Sequence, residues 1–210
     1  MGRPREFDRN QVLESAMRVF WARGYDATSL CDLIEAMGIS KSSFYETFGN
    51  KHDLFLASLD HYRDAVIGRL SLNLESAASP RAAIAATLRR VLDTEPRPGD
   101  APGCMIGRCA VEIAGRDRAA AARVAAGMAR IEAAFHRAVA RAQALGEIPA
   151  THDARALARY LTSSMNGLRV MAEAKADRAT LEDIVRLTLA ALDCVQSAPT
   201  TTENVKEPSR

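Results

Sequence analysis

A chain of 210 residues, 48% hydrophobic and 26% charged, has the balance of a water-soluble globular protein and enough length for a sizeable apolar core. Its net charge of +2 does not by itself announce a nucleic-acid partner, so any such reading must rest on local arrangement. No apolar run reaches the roughly 20 residues of a membrane span, and Met1-Gly2-Arg3-Pro4-Arg5 lacks a secretory core, so a cytoplasmic protein is expected.

Four cysteines, Cys31, Cys104, Cys109 and Cys194, form no C-x-x-C pair and no zinc spacing with His52, His61, His136 or His152. Neither a disulfide framework nor a metal or other cofactor is expected. Apolar residues recur at helical spacing almost throughout, and no β-branched stretch alternates strictly, so the fold class is all-α.

The first helix is predicted from about Asp8 to Arg23, with Val12, Ala16, Val19 and Phe20 on one face and Gly24 as its terminator. Ser29 opens a short second helix with Asp32 near its free amides, and Gly38 ends it. Ser40 caps a third helix through Phe48; Gly49 turns the chain, and Asn50 caps a fourth with Asp53 in its first turn. In that fourth helix Phe55, Leu59, Tyr62, Val66 and Leu70 form one stripe, long enough to leave the amino-terminal unit and enter a second.

Ser79-Pro80 starts a fifth helix to about Leu92, and a loop rich in proline and glycine follows from Thr94 to Gly103. Further helices are predicted near Cys104 to Ala114, Arg118 to Leu145, His152 to Glu173 with Thr151 as cap, and Thr180 to Val195. In the long one Val124, Met128, Ile131 and Phe135 face inward and Gly146 is the stop. The tail from Ser197 to Arg210 has no apolar period and reads as disordered. The expected division is 1–52 for a small helical head, 53–196 for a helical second domain, and 197–210 for the tail.

Residues Thr28 to Phe48 make two short helices joined by a tight turn containing Gly38, which is helix-turn-helix geometry. Leu30, Leu33, Ile34, Ile39, Phe44 and Phe48 supply its apolar contacts, leaving Lys41, Ser42, Ser43, Tyr45 and Glu46 free at the start of the second helix. Those positions enter a major groove in such motifs; small hydroxyl residues let the helix sit deep, and Lys41 offers a charge to a phosphate. Arg3-Pro4-Arg5 reads equally as an arm reaching the minor groove and as a solvated start.

The stretch from Phe7 to about Tyr62 resembles the TetR family of one-component regulators, whose pattern T-S, an apolar turn, then G-I/V-S-K-x-S/T-F/L-Y-x-x-F-x-x-K-x-x-L is met almost residue for residue. The resemblance implies that Tyr45, Lys51 and Thr28 hold phosphates and that the helix carrying Lys41, Ser42 and Ser43 reads bases. With Arg3 and the cap Ser40, these residues form the expected DNA-binding set. Two departures, Ser42-Ser43 in place of a frequent Gly-Thr pair and Glu46 in place of an aromatic residue or histidine, leave the operator sequence unassigned.

The resemblance also implies a second domain that binds a small molecule and dimerises. A ligand pocket is expected among Leu59, Tyr62, Leu88, Met105, Met128, Phe135, Tyr160 and Met165, each of which also fits plain core. The last two predicted helices carry apolar residues on more than one face, so Leu161, Leu168, Leu181, Ile184, Val185 and Leu192 are expected at a homodimer interface, half of an intermolecular four-helix bundle. The function so implied is a repressor that binds a palindromic operator as a dimer and is released by a small molecule, or by an electrophile or oxidant.

Cys104 stands just after a Pro-Gly turn at a helix start, where free amides favour a thiolate, so it is a candidate redox sensor. Gly103-Cys104-Met105-Ile106 resembles the helix opening of a TetR subgroup in which some members sense electrophiles or oxidants with this cysteine and others keep it without that role. A small packed thiol is the alternative. Cys109 lies off the Cys104 face, and Cys31 and Cys194 read as core or interface residues. Two competing functions stay open: a thiol hydrolase pairing Cys104 with His136 or His152, and a helical interaction module that does not touch DNA.

Overall fold

The structure, a computed structural model, describes residues 7–93 and 103–193. The predicted arm at Arg3, most of the loop from Thr94, Cys194 and the tail lie outside the described residues. Every regular element among those described is helical.

Helix α1 (Arg9–Arg23) is capped by Asp8, whose carboxylate accepts from the Asn10 and Gln11 amides, and stops at Gly24, where φ is +83°. Helix α2 (Leu30–Met37) opens with a reciprocal capping box between Ser29 and Asp32 and ends at Gly38 in the left-handed region. Helix α3 (Lys41–Phe48) starts on Ser40 and α4 (Lys51–Tyr62) on Asn50, each capped by its side chain. The head closes where α1 packs on α4: the Phe20 ring meets Phe55 edge-on at 5.2 Å, and Tyr25 meets Phe55 at 4.8 Å.

The fourth helix is not the single α-helix its sequence predicts. Residues Arg63–Ile67 form a π turn, after which α5 (Gly68–Ser76) continues the rod. A π turn takes in one extra residue and rotates every later side chain relative to the stripe before it. Hence Phe55, Leu59 and Tyr62 are buried as expected, but the inward positions then become Ile67, Ser71 and Leu74, and Val66 and Leu70 are only half-buried.

Helices α6 (Pro80–Arg89), α7 (Met105–Glu112), α8 (Arg118–Ala144), α9 (Ala154–Glu173) and α10 (Arg178–Ala190) complete the second domain. Three begin on aspartate caps: Asp117, Asp153 and Asp177. Asp153, not Thr151, therefore caps α9, because its carboxylate reaches the Arg155 amide, and α10 starts at Arg178 and ends at Ala190. Helix α8 is the hub, packing on α9, α5, α6, α7 and α4. It meets α7 tightly at Gly127, where an added Cβ would stand 3.0 Å from the Ile106 side chain. Beside it, Arg123, Arg130 and Arg137, one heptad apart, pair with Asp60, Asp64 and Glu75 of the α4–α5 rod. Such half-exposed pairs add little stability each, but together they fix the register of the two helices.

Candidate nucleic-acid interface and sensor core

Helix α3 is sorted cleanly into two faces. Phe44 and Phe48 are buried, while Lys41, Ser42, Tyr45 and Glu46 are exposed and Ser43 is half-buried. Three hydroxyls converge at its start: Ser40 Oγ accepts from the Ser43 amide at 3.1 Å and lies 2.9 Å from both Ser42 Oγ and Ser43 Oγ. The Tyr45 ring, 48% exposed, rests edge-on against Phe44 with its phenol free of the core. This is a protruding, close-approach face with hydroxyl, phenol and ammonium groups, the chemistry that contacts base edges and phosphates.

At the start of α4 the Lys51 ammonium stands 4.3 Å from the centre of the Tyr25 ring, a cation–π contact that orients it. Its neighbour His52 bonds Asp117 at 2.5 Å through Nε2, tying the first turn of α4 to the first turn of α8. Arg9, 5.8 Å from the Phe48 ring centre, adds a cation beside α3 that the spacing argument missed. Its signal was legible: a basic residue in the first turn of α1 opposes the helix dipole and wants an anion nearby.

Thr28 requires a correction. It is only 1% exposed, and its hydroxyl donates to the Gly24 carbonyl at 2.6 Å, so it closes the α1–α2 turn instead of facing a phosphate. Of the expected DNA-binding set, Ser40, Lys41, Ser42, Ser43, Tyr45 and Lys51 lie along α3 and the start of α4.

Among the expected pocket residues Leu59, Tyr62, Leu88, Met105, Phe135 and Met165 are buried and Met128 is half-buried. Tyr160 is 42% exposed and does not face them, because Leu157, Leu161 and Met165 take the inward positions of α9. Two surface grooves, about 410 Å³ between α5 and α8 and about 880 Å³ between α6 and α10, are lined by other residues.

Within the core one polar cluster stands out. Cys104 is the buried cap residue of α7, 7% exposed, and the Tyr62 hydroxyl donates to its sulfur at 3.7 Å. Burial, and then the neighbouring Cys104, pushes the Tyr62 phenol well above its ordinary range, so it stays a donor. Asn166 of α9 donates to the Thr162 carbonyl at 3.0 Å, and its Oδ1 is buried with no partner. Both Cys104 and Asn166 flank Gly107: a Cβ there would lie 3.6 Å from Cys104 Cβ and 3.7 Å from Asn166 Oδ1. Sequence reasoning missed Asn166, although an amide one position beyond the inward-facing Met165 was the available signal.

The other thiols differ. Burial, then the Glu112 charge, pushes Cys109 up to about 12, so it holds no thiolate near neutral pH. Cys31, expected in the core or at an interface, is exposed on α2. Of the residues the hydrolase reading needs, Cys104 bonds Tyr62, and His152 is buried with Nε2 unpartnered.

The expected dimer residues are also re-sorted. Leu161, Leu168, Leu181, Val185 and Leu192 are buried within this one chain, and Ile184 is half-buried. The outward apolar residues are Tyr160, Val170 and Met171 on α9 and Leu187 on α10.

Residues 12–58 match the family described as bacterial regulatory proteins, tetR family, and residues 80–188 match the tetracyclin repressor-like C-terminal domain. The chain is 35% identical to the uncharacterized HTH-type transcriptional regulator YezE of Bacillus subtilis strain 168, over 92% of this chain and 100% of that one. It is 33% identical to the HTH-type transcriptional repressor ComR of Escherichia coli K12, over 90% of each. Among solved structures, a cysteine mutant of the TetR family regulator CifR complexed with 26-bp double-strand operator DNA superposes with a TM-score of 0.78 at 32% identity, covering 90% of this chain and 99% of that one. Reduced E. coli NemR, at 19% identity and a TM-score of 0.78, shares the fold. The helix-turn-helix head, the helical second domain and these full-length relatives place the chain in the TetR family of operator-binding transcriptional regulators.

Proposed function

We propose that this regulator is a homodimeric repressor of a palindromic operator, released when an effector engages the cluster of Cys104, Tyr62 and Asn166. The carrying observation is that this cluster is a polar island in an apolar core, with a thiol at a helix start, a buried phenol donor and an unpartnered buried amide oxygen. A buried acceptor without a partner costs about 1–3 kcal/mol, so an effector that offers Asn166 Oδ1 a donor gains by satisfying it while displacing the close-packed side chains around it. DNA contact falls to Tyr45, Lys51 and Arg9 for phosphates and to Lys41, Ser42 and Ser43 for base edges, supported by the exposure of Arg9, Lys41, Ser42 and Tyr45 along α3 and beside it.

Cys104 is the reactive group in this reading, and the chain belongs with the subgroup that opens this helix with Gly-Cys. An electrophile such as a maleimide adds across its double bond: the thiolate forms the carbon–sulfur bond, the electron pair shifts to the activated carbon, and water returns a proton. The adduct has no room beside Tyr62 in a close-packed core and must move the first turn of α7. Dimerisation uses Tyr160, Val170, Met171 and Leu187, which stand exposed on the two last helices.

Selecting bound fragments from random duplex DNA tests the reading, with a palindrome expected whose half-sites are about 34 Å apart or slightly more. Operator binding is then compared before and after N-ethylmaleimide for the otherwise wild-type chain, Cys104→Ser and Cys109→Ser, all in a Cys31→Ser background because Cys31 is exposed on α2 and takes the same reagent. Wild type and Cys109→Ser lose DNA; Cys104→Ser keeps it. Equal loss by all three, or an unmodified Cys104 by mass spectrometry, removes the thiol trigger and leaves a reversible ligand.

A further inference from the structure

The helix that opens at Cys104 also grips the DNA-reading head. Cys104, Arg108 and Glu112 lie at successive steps of four and share one face of α7. From that face Arg108 Nη1 donates to the carbonyls of Trp21 at 3.1 Å and Ala22 at 2.9 Å. Both are last-turn carbonyls of α1, which no amide of the helix can satisfy, at the negative end of its dipole. One turn on, Glu112 Oε1 accepts from the Asp26 amide at 2.9 Å, and Arg116 pairs with the Asp26 carboxylate. Glu112 Oε2 fills the space where a Cβ on Gly24 would stand, only 2.5 Å away. The Trp21 ring in turn meets Tyr62, the partner of Cys104, edge-on at 5.0 Å.

These contacts converge on the end of α1 and the α1–α2 turn, and those of Arg108 and Glu112 are made to main chain. Whatever fixes that turn fixes α2, because Thr28 bonds back to Gly24 and Arg23 pairs with Asp32 at 2.6 Å, inside the α2 capping box. We propose that Arg108 and Glu112 are positioning residues for operator binding: a two-point clamp through which the state of α7 and the placement of the reading head are thermodynamically coupled. The inference rests on the operator-binding reading and adds the path of its regulation. It does not depend on Cys104 being the trigger, since any effector that shifts α7 acts through the same clamp.

Coupling is reciprocal: if α7 biases DNA binding, DNA binding must bias α7 by the same factor. Operator occupancy is therefore expected to slow hydrogen exchange of the α7 amides in the wild-type chain, and to slow it less in Arg108→Met, which keeps the apolar stem without the donors and leaves only the Glu112 point. Arg108→Met and Glu112→Met are expected to weaken operator binding at least about fivefold, the lower end of typical coupling. Glu112→Gln, which keeps the acceptor for Asp26, is expected to bind within about twofold of wild type. Because the clamp holds main chain and not a base-reading side chain, the loss should be equal for the selected operator and its single-base variants.

The clamp is refuted by wild-type α7 exchange that ignores the operator, a measurement that needs no variant, or by Arg108→Met binding as wild type does. Unequal loss across base variants also overturns it, since that marks Arg108 as acting on recognition itself. If no duplex is selected from the random pool, the operator-binding reading fails first and the clamp falls with it; normal operator binding with an unresponsive α7 fails the clamp alone.

Discussion

The hydroxyl of Thr28 donates to the main-chain oxygen of Gly24 at 2.6 Å, from a side chain that is almost wholly buried. This bond turns a residue that family resemblance assigns to DNA into a fastener of the α1–α2 turn. Thr28→Val keeps the shape and deletes the bond, so it should cost about 0.5–1.5 kcal/mol in urea unfolding. A urea midpoint equal to that of the wild-type chain would refute the fastening role of Thr28.

Lys51 and Ser42 should separate affinity from recognition. Lys51 is oriented by the Tyr25 ring at the start of α4, whereas Ser42 is exposed at the start of α3. Lys51→Ala should weaken all sequences alike and lower the salt slope by roughly one unit, while Ser42→Ala should alter base preference with the slope unchanged. Fluorescence anisotropy across salt concentrations and operator variants reads both. Identical behaviour of the two variants would contradict the assignment.

Acid should release the capping box that opens α2. The Ser29 hydroxyl and amide, with the Arg23 guanidinium, hold the Asp32 carboxyl at about 2, below its ordinary 3.8. A depressed carboxyl contributes stability that is complete above its unfolded value and is lost as pH falls toward the folded one. Thermal melts should therefore show a loss between about pH 4 and pH 2 that Asp32→Asn lacks. At neutral pH Ser29→Ala should lower the melting midpoint by about 2–4 °C. A wild-type acid profile that coincides with that of Asp32→Asn would refute the role given to this box.

Burial on α9 and α10 separates stability from assembly. Leu161 is fully buried in its own chain and Leu187 is 60% exposed on α10. Leu161→Ala should cost about 2–5 kcal/mol of folding stability. Leu187→Arg should fold normally and shift sedimentation toward the monomer, with half-site DNA binding weakened less than binding to the full operator. A Leu187→Arg chain that sediments as wild type at micromolar concentration would move the interface elsewhere.

Local chemistry made the head legible from sequence. Asp8, Ser29, Ser40 and Asn50 each sit one residue before a helix, and each uses its own side chain on amides two or three positions ahead. Gly24, Gly38 and Gly49 end α1, α2 and α3 at positive φ, a conformation their sequence neighbours advertise. These interactions span a few residues and need no distant partner. The split of α3 into buried phenylalanines and exposed polar residues followed from the same local period.

Tertiary structure decided what periodicity leaves degenerate. The stripe of the α4–α5 rod moved from Val66 to Ile67 because a π turn interrupts it, and side-chain spacing alone carries no signal of an extra residue. Thr28, Tyr160 and the leucines of α9 and α10 changed roles because one helix face can look inward, across an interface or toward a ligand with the same residue types. The polar island of Cys104, Tyr62 and Asn166 joins α4, α7 and α9, and the clamp of Arg108 and Glu112 joins residues about ninety positions apart. Sequence set which residues were able to cap, pack or protrude; only the packing of distant helices chose their partners, because those contacts depend on three-dimensional proximity that no local pattern encodes.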